Sequence, residues 1–89
     1  MKAIMTVTGS DRVGIIASVC SLLASMDVNI LDISQTVMQG IFTMTLLVDT
    51  STSSHDFDNI RSALIERGES EKLNIHIQRT DIFNAMHRV

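Results

Sequence analysis

Apolar and polar residues alternate with a period of two in four stretches, and a helical period fills the gaps between them. Residues 2–8 run Lys-Ala-Ile-Met-Thr-Val-Thr, rich in the β-branched types that suit a pleated strand. Residues 13–26 are apolar at helical spacing. Ile16, Cys20, Leu23 and Asp27 form one edge, Val13, Ala17 and Ala24 lie beside it, and Val19, Leu22 and Met26 widen the arc. A helix this apolar has to bury most of its surface against a sheet, a partner, or both. Asp11 is placed to cap its start, and Asn29 to stand in for glycine where it ends.

The alternation returns over residues 30–38, with Leu31, Ile33, Gln35 and Val37 set against Asp32, Ser34 and Thr36. Gln39-Gly40 interrupts it. In residues 41–49, Phe42, Met44, Leu46 and Val48 then face one way and Thr43, Thr45 and Leu47 the other. Two alternating runs joined by a glycine-containing dipeptide predict a hairpin. The polar loop 50–54 leads into a second helix, with Ser53 or Ser54 as cap, acids in the first turn and a buried stripe of Phe57, Ile60, Ala63 and Leu64. Arg67-Gly68 reads as its close. Residues 73–79 give a half-buried fourth strand with Leu73, Ile75 and Ile77 inward.

The order β-α-β-β-α-β defines an α+β, ferredoxin-like sandwich, in which a four-stranded antiparallel sheet carries two helices on one face. A domain over residues 1–79 is followed by a tail, 80–89, with Ile82, Phe83, Met86 and Val89 at helical spacing. Such a tail predicts a short C-terminal helix, too short to be stable undocked. The other sheet face stays open, with Thr6, Thr43 and Thr45 on it and Ile4 and Leu47 as apolar members. That face and the sheet edges invite a second subunit, so a homodimer is expected.

Composition narrows the function classes. The 89 residues are 45% hydrophobic and 19% charged, which fits one domain with one core. The apolar runs are too short to cross a bilayer and no secretory leader pattern opens the chain, so a cytoplasmic location and no membrane partner are expected. A formal charge of −3, with neither Trp nor Tyr, argues against nucleic acid. Cys20 is the sole cysteine, so no internal disulfide or thiolate cluster is possible. His55, His76 and His87 lack metal-ligand spacing and read as surface residues, while the six methionines read as core fillers. No nucleophile, base and orienting group converge. Neither metal, cofactor nor enzymatic activity is expected.

The stretch 8–16, Thr-Gly-Ser-Asp-Arg-Val-Gly-Ile-Ile, is the candidate site. It is a strand-to-helix junction with two glycines, a carboxylate and a guanidinium. The first turn of a helix presents unpaired N–H groups that suit a small anion or the carboxylate of a zwitterion. Asp11 can cap the helix or meet an ammonium group. Arg12 can pair a carboxylate bidentately or stand in solvent. Gly14 reads first as a packing residue, letting the helix approach the sheet.

The opening strand, Gly-Ser-Asp-Arg-Val-Gly-Ile-Ile-Ala at residues 9–17, and Asp-Val-Asn-Ile at 27–30 resemble an ACT domain over residues 2–79. The ending Asp-Ile-Phe-Asn-Ala-Met-His-Arg-Val further resembles small stand-alone bacterial ACT-domain proteins. The resemblance implies a regulatory module that binds a small molecule, commonly an amino acid, between two associated domains, and acts on a separate partner protein. It implies ligand contacts at Asp11, Arg12, Val13 and Gly14 in the first loop and at Asn29 and Ile30 where the second strand starts. The family usually carries proline where Val13 stands, so this chain keeps an N–H there. A protein-interaction adaptor without a small ligand is the alternative reading.

Overall fold

The computed structural model describes residues 1–10 and 13–80. Its elements are β1 (Lys2–Ser10), α1 (Ile15–Ser25), β2 (Asn29–Met38), β3 (Ile41–Asp49), α2 (Phe57–Glu71) and β4 (Asn74–Arg79). The four strands form one antiparallel sheet in the order β2-β3-β1-β4. This is the expected ferredoxin-like arrangement, with α1 toward β2 and α2 toward β4. The expected C-terminal helix falls outside the described residues.

Alternation sets the core. Ala3, Met5 and Val7 of β1, Phe42, Met44, Leu46 and Val48 of β3, and Ile75 and Ile77 of β4 are buried on the helix side. Ile15, Val19 and Leu23 of α1 and Ile60 and Leu64 of α2 close over them. The buried stripe of α1 is therefore turned by one residue from the expected one: Ile15 is inside and Ile16 is exposed. On the opposite face the register aligns Ile4 with Leu47, Thr6 with Thr45 and Thr8 with Thr43, as the alternation implied.

Local chemistry fixes the ends of the helices, in several places not where the sequence suggested. Helix α1 starts at Ile15 behind Gly14, whose φ of 94° is left-handed and which brings no side chain to cap it. Gly14 holds the N-cap position, and the expected cap, Asp11, lies outside the described residues. The helix ends in a Schellman motif: Asp27 takes φ 58°, its N–H donates to the Ala24 carbonyl, and the Val28 N–H donates to the Leu23 carbonyl. Asp27 rather than Asn29 supplies the left-handed residue, because the buried Val28 must pack back on Leu23. Asn29 begins β2 instead.

Asp56, not Ser53 or Ser54, caps α2, its carboxylate accepting from the Asn59 N–H at 2.8 Å. The Ser53 hydroxyl instead accepts from the His55 N–H within the loop. Gly68 does not close this helix, which runs on to Glu71 and turns at Lys72 (φ 59°). A Cβ on Gly68 would lie 2.7 Å from the Leu73 carbonyl oxygen and 3.2 Å from Ile75. The glycine is there for close helix-to-strand contact.

The β2–β3 hairpin turns at Gln39 and Gly40, both at positive φ, the type I′ geometry that matches strand twist. Near its other end the register skips between Ile30 and Asp32, leaving Leu31 in a bulge and out of the expected alternation. Ile33, Gln35 and Val37 stand opposite Leu46, Met44 and Phe42, on the helix side. Yet Ile33 is 42% exposed and Val37 53% exposed, on a strand at the edge of the sheet.

Candidate functional site

The strand-to-helix junction lies at the hairpin end of the sheet. Ser10 pairs with Ile41, and Ile41 with Met38 across the turn. Of the expected contact residues, Asp11 and Arg12 fall outside the described residues. Val13 is 98% exposed, and Gly14 follows it as the helix N-cap. A Cβ on Gly14 would meet nothing within 4 Å. Its expected packing role is therefore corrected: its left-handed φ, not close approach, calls for glycine. The Ser18 N–H donates to the Gly14 carbonyl at 2.9 Å, so the turn is held from inside the helix.

Asn29 and Ile30 lie at the other end. They pair with Asp49 and Val48, which in turn pair with Lys2 and Ala3. Asn29 is exposed and Ile30 half-buried against the core. The two groups are separated by the length of β3, roughly 27 Å at about 3.4 Å per residue. One chain does not bring them together.

The edge strand between them carries exposed apolar surface on the side where its alternation sets Ile33 and Val37. Besides Ile33 and Val37, Met38 is 68% exposed, and Leu31 and Ile41 are also open. A shallow trough of about 360 Å³ lies between Met38, Gln39 and Ile41 at the hairpin, flanked by the Thr36 and Thr43 hydroxyls. The signal available beforehand was in β2 itself, since its helix-side positions include Gln35 between Ile33 and Val37.

Reactive chemistry is sparse among the described residues. Partial burial pushes the Cys20 thiol pKa up, which disfavours the nucleophilic thiolate. No group of three or more His, Cys, Asp or Glu side chains there is arranged to hold a metal ion. The polar cluster that does form joins the helices. The Ser18 hydroxyl meets the Glu71 carboxylate, and Arg67 Nη1 donates to the Ser18 Oγ at 3.0 Å and to its carbonyl at 3.3 Å. Arg67 also lies 3.7 Å from Glu71, one turn along α2. Ser18, Arg67 and Glu71 satisfy one another and act as a brace.

The element order and antiparallel sheet define a ferredoxin-like sandwich, an architecture that many unrelated functions share. Its family is then given by comparison: the ACT-domain profile matches residues 2–78, and the chain belongs to the ACT-domain family. A UPF0237 protein of Clostridium acetobutylicum is 55% identical over 89 residues, covering all of both chains. The ACT domain protein from Streptococcus pneumoniae superposes with a TM-score of 0.83 at 42% identity, covering 93% of each chain. A formyltetrahydrofolate deformylase from Pseudomonas syringae matches with a TM-score of 0.79 and 28% identity, covering 88% of this chain but 27% of the enzyme. In related proteins the ACT domain is a small-molecule-binding regulatory module.

Proposed function

We propose that this chain is a dimeric, non-enzymatic regulatory module of the cytoplasm that binds a small molecule, an amino acid by class, and acts through a separate partner protein. The observation that carries the dimer is the separation just described. Gly14 sits at the hairpin end and Asn29 at the far end of the same sheet. If a second copy lays its β2 antiparallel against the β2 edge, its Asn29 end comes to the first copy's hairpin end. The two halves of the site, 11–14 from one copy and 29–30 from the other, then face each other, twice per dimer. The exposed Ile33, Val37 and Met38 support that pairing, because joining the edges removes them from water and gives the edge backbone partners.

At the junction a ligand carboxylate meets Arg12 and the first-turn N–H groups of α1, to which the N-cap Gly14 brings no side chain. Its ammonium group meets Asp11 or the Asn29 side chain of the other copy. A ligand held between copies binds the dimer and not the separated chains, so it shifts the population by its differential affinity. The test is sedimentation and thermal denaturation of the full chain with each of the twenty amino acids in turn. At least one is expected to raise the melting temperature and the dimer fraction together, with both effects lost in Arg12→Ala. A chain that stays monomeric at high concentration and answers to no amino acid overturns the reading. Partner capture without any ligand response would favour the adaptor instead.

A further inference from the structure

A strand in an antiparallel ladder points the N–H and C=O of alternate residues to opposite sides. The Thr50 N–H donates to the Met1 carbonyl at 2.8 Å, so odd residues of β1 and even residues of β3 bond across their shared seam. Odd residues of β3 therefore face β2, where they pair with Asp32, Ser34, Thr36 and Met38. The backbone groups that point outward from the β2 edge are those of Ile33, Gln35 and Val37. One of these donors is already taken. The Ile33 N–H donates to the carboxylate of Asp32, its neighbour in the chain, at 2.8 Å. The Asp32 side chain starts on the open sheet face, beside Leu47, and bends round the edge to reach it.

We propose, resting on the edge-to-edge dimer already put forward, that Asp32 is a latch on this edge. A second copy of the chain pairs fully along β2 only after the carboxylate has let go of Ile33. An antiparallel strand centred on Gln35 sets Gln35 against its own copy and Ile33 against Val37 of the second copy. These are the outward-pointing positions, so each such pair exchanges two backbone bonds. The edge is self-complementary in its side chains too, since exposed Ile33 meets exposed Val37 on both sides of the axis. Each Ile33 N–H is thus wanted by the Val37 carbonyl of the other copy, and in the separate chain Asp32 holds it. Release is not made good elsewhere. The residue across from Asp32 is Met38 of the second copy, whose thioether offers a carboxylate no donor. The same latch stands against any foreign strand that approaches β2, which suits an edge that leaves Ile33 and Val37 open to water.

The experiment compares the full wild-type chain with Asp32→Ala and Asp32→Asn by sedimentation equilibrium and by amide hydrogen exchange. In dilute chain, after correction for neighbouring side chains, the Ile33 amide is expected to exchange more slowly than those of Gln35 and Val37. Asp32→Ala should lose that protection. Its dimer Kd should lie roughly fivefold to twentyfold below that of wild type, because neither copy any longer surrenders a bond to a charged group. Asp32→Asn keeps a weaker acceptor and should fall between the two. Charge repulsion predicts no such tightening, since the two carboxylates would stand roughly 20 Å apart across the axis, beyond a Debye length at physiological salt. A wild-type dimer that Asp32→Ala leaves unchanged or loosens overturns the latch, as does an Ile33 amide no slower than its neighbours. Failure of all three chains to dimerise overturns the edge pairing and the latch with it. A failed latch alone leaves the wild-type dimer in place, so the two failures are told apart.

Discussion

The half of the molecule built from α2 and β4 and the half built from α1 and β2 use the same topology to different ends. In the first, Asp56 caps the helix, Gly68 lets it press onto the strand, and the Leu73 N–H closes its end on the Gly68 carbonyl at 2.7 Å. In the second, the N-cap is Gly14 with no side chain to offer, Ile16 faces outward, and β2 leaves Ile33 and Val37 open although both point to the helix side. One half is finished within the chain. The other leaves apolar surface exposed along β2, the edge on which the proposed dimer rests.

Truncation should expose this division most strongly. Leu64→Ala removes a fully buried side chain from the finished half and is expected to cost about 2–5 kcal/mol by denaturant unfolding. Ile33→Ala at low protein concentration should cost clearly less than Leu64→Ala, and under the proposed dimer its cost should grow with concentration. Equal costs for the two at all concentrations would erase the contrast. Gly68→Ala comes next. The added Cβ meets backbone, so a loss of roughly 1–3 kcal/mol is expected despite the better helix propensity of alanine, with Tm as the measurement.

Removing the cap by Asp56→Ala should cost about 1 kcal/mol, largely restored by Asp56→Asn, which keeps an acceptor for the Asn59 N–H. The smallest effect belongs to neither half. Asp49 accepts from the Ser51 N–H at 3.0 Å and lies 3.4 Å from the terminal ammonium, both lowering its carboxyl pKa, the Ser51 bond foremost. A depressed carboxylate stabilises above its unfolded pKa and loses that contribution as pH falls through the folded value. Wild type and Asp49→Asn are therefore expected to differ most above pH ~5 and to converge in stronger acid, in a pH series of melting curves.

Much of the fold was legible because both sheet faces follow strict alternation. Phe42, Met44, Leu46 and Val48 could hardly point elsewhere once Gln39-Gly40 was read as a turn. Errors gathered at helix ends, where several residues compete for one role. Asp56 outbids Ser53 and Ser54 because its carboxylate stands three residues before Asn59, and Asp27 takes the bend at α1 because Val28 has to reach Leu23. Gly68 misled for a different reason. A basic residue followed by glycine spells a helix end locally, and only the position of Leu73 and Ile75 shows why the glycine is needed mid-helix. At the candidate site, sequence supplied the junction and the 29–30 pair but not their separation, since distance along a strand becomes visible only when the register is known.

The bulge at Leu31 divides the outer edge of β2 unequally, leaving residues 32–38 as its one uninterrupted ladder. An identical strand joining that ladder about a twofold axis is centred on Gln35, whose amide would then lie beside its own copy. A shift of one residue reverses every side chain, and a shift of two drives the ladder toward the bulge or the turn. A single irregular residue thereby acts as a ruler, limiting how far a neighbouring strand can slide before the fit is lost.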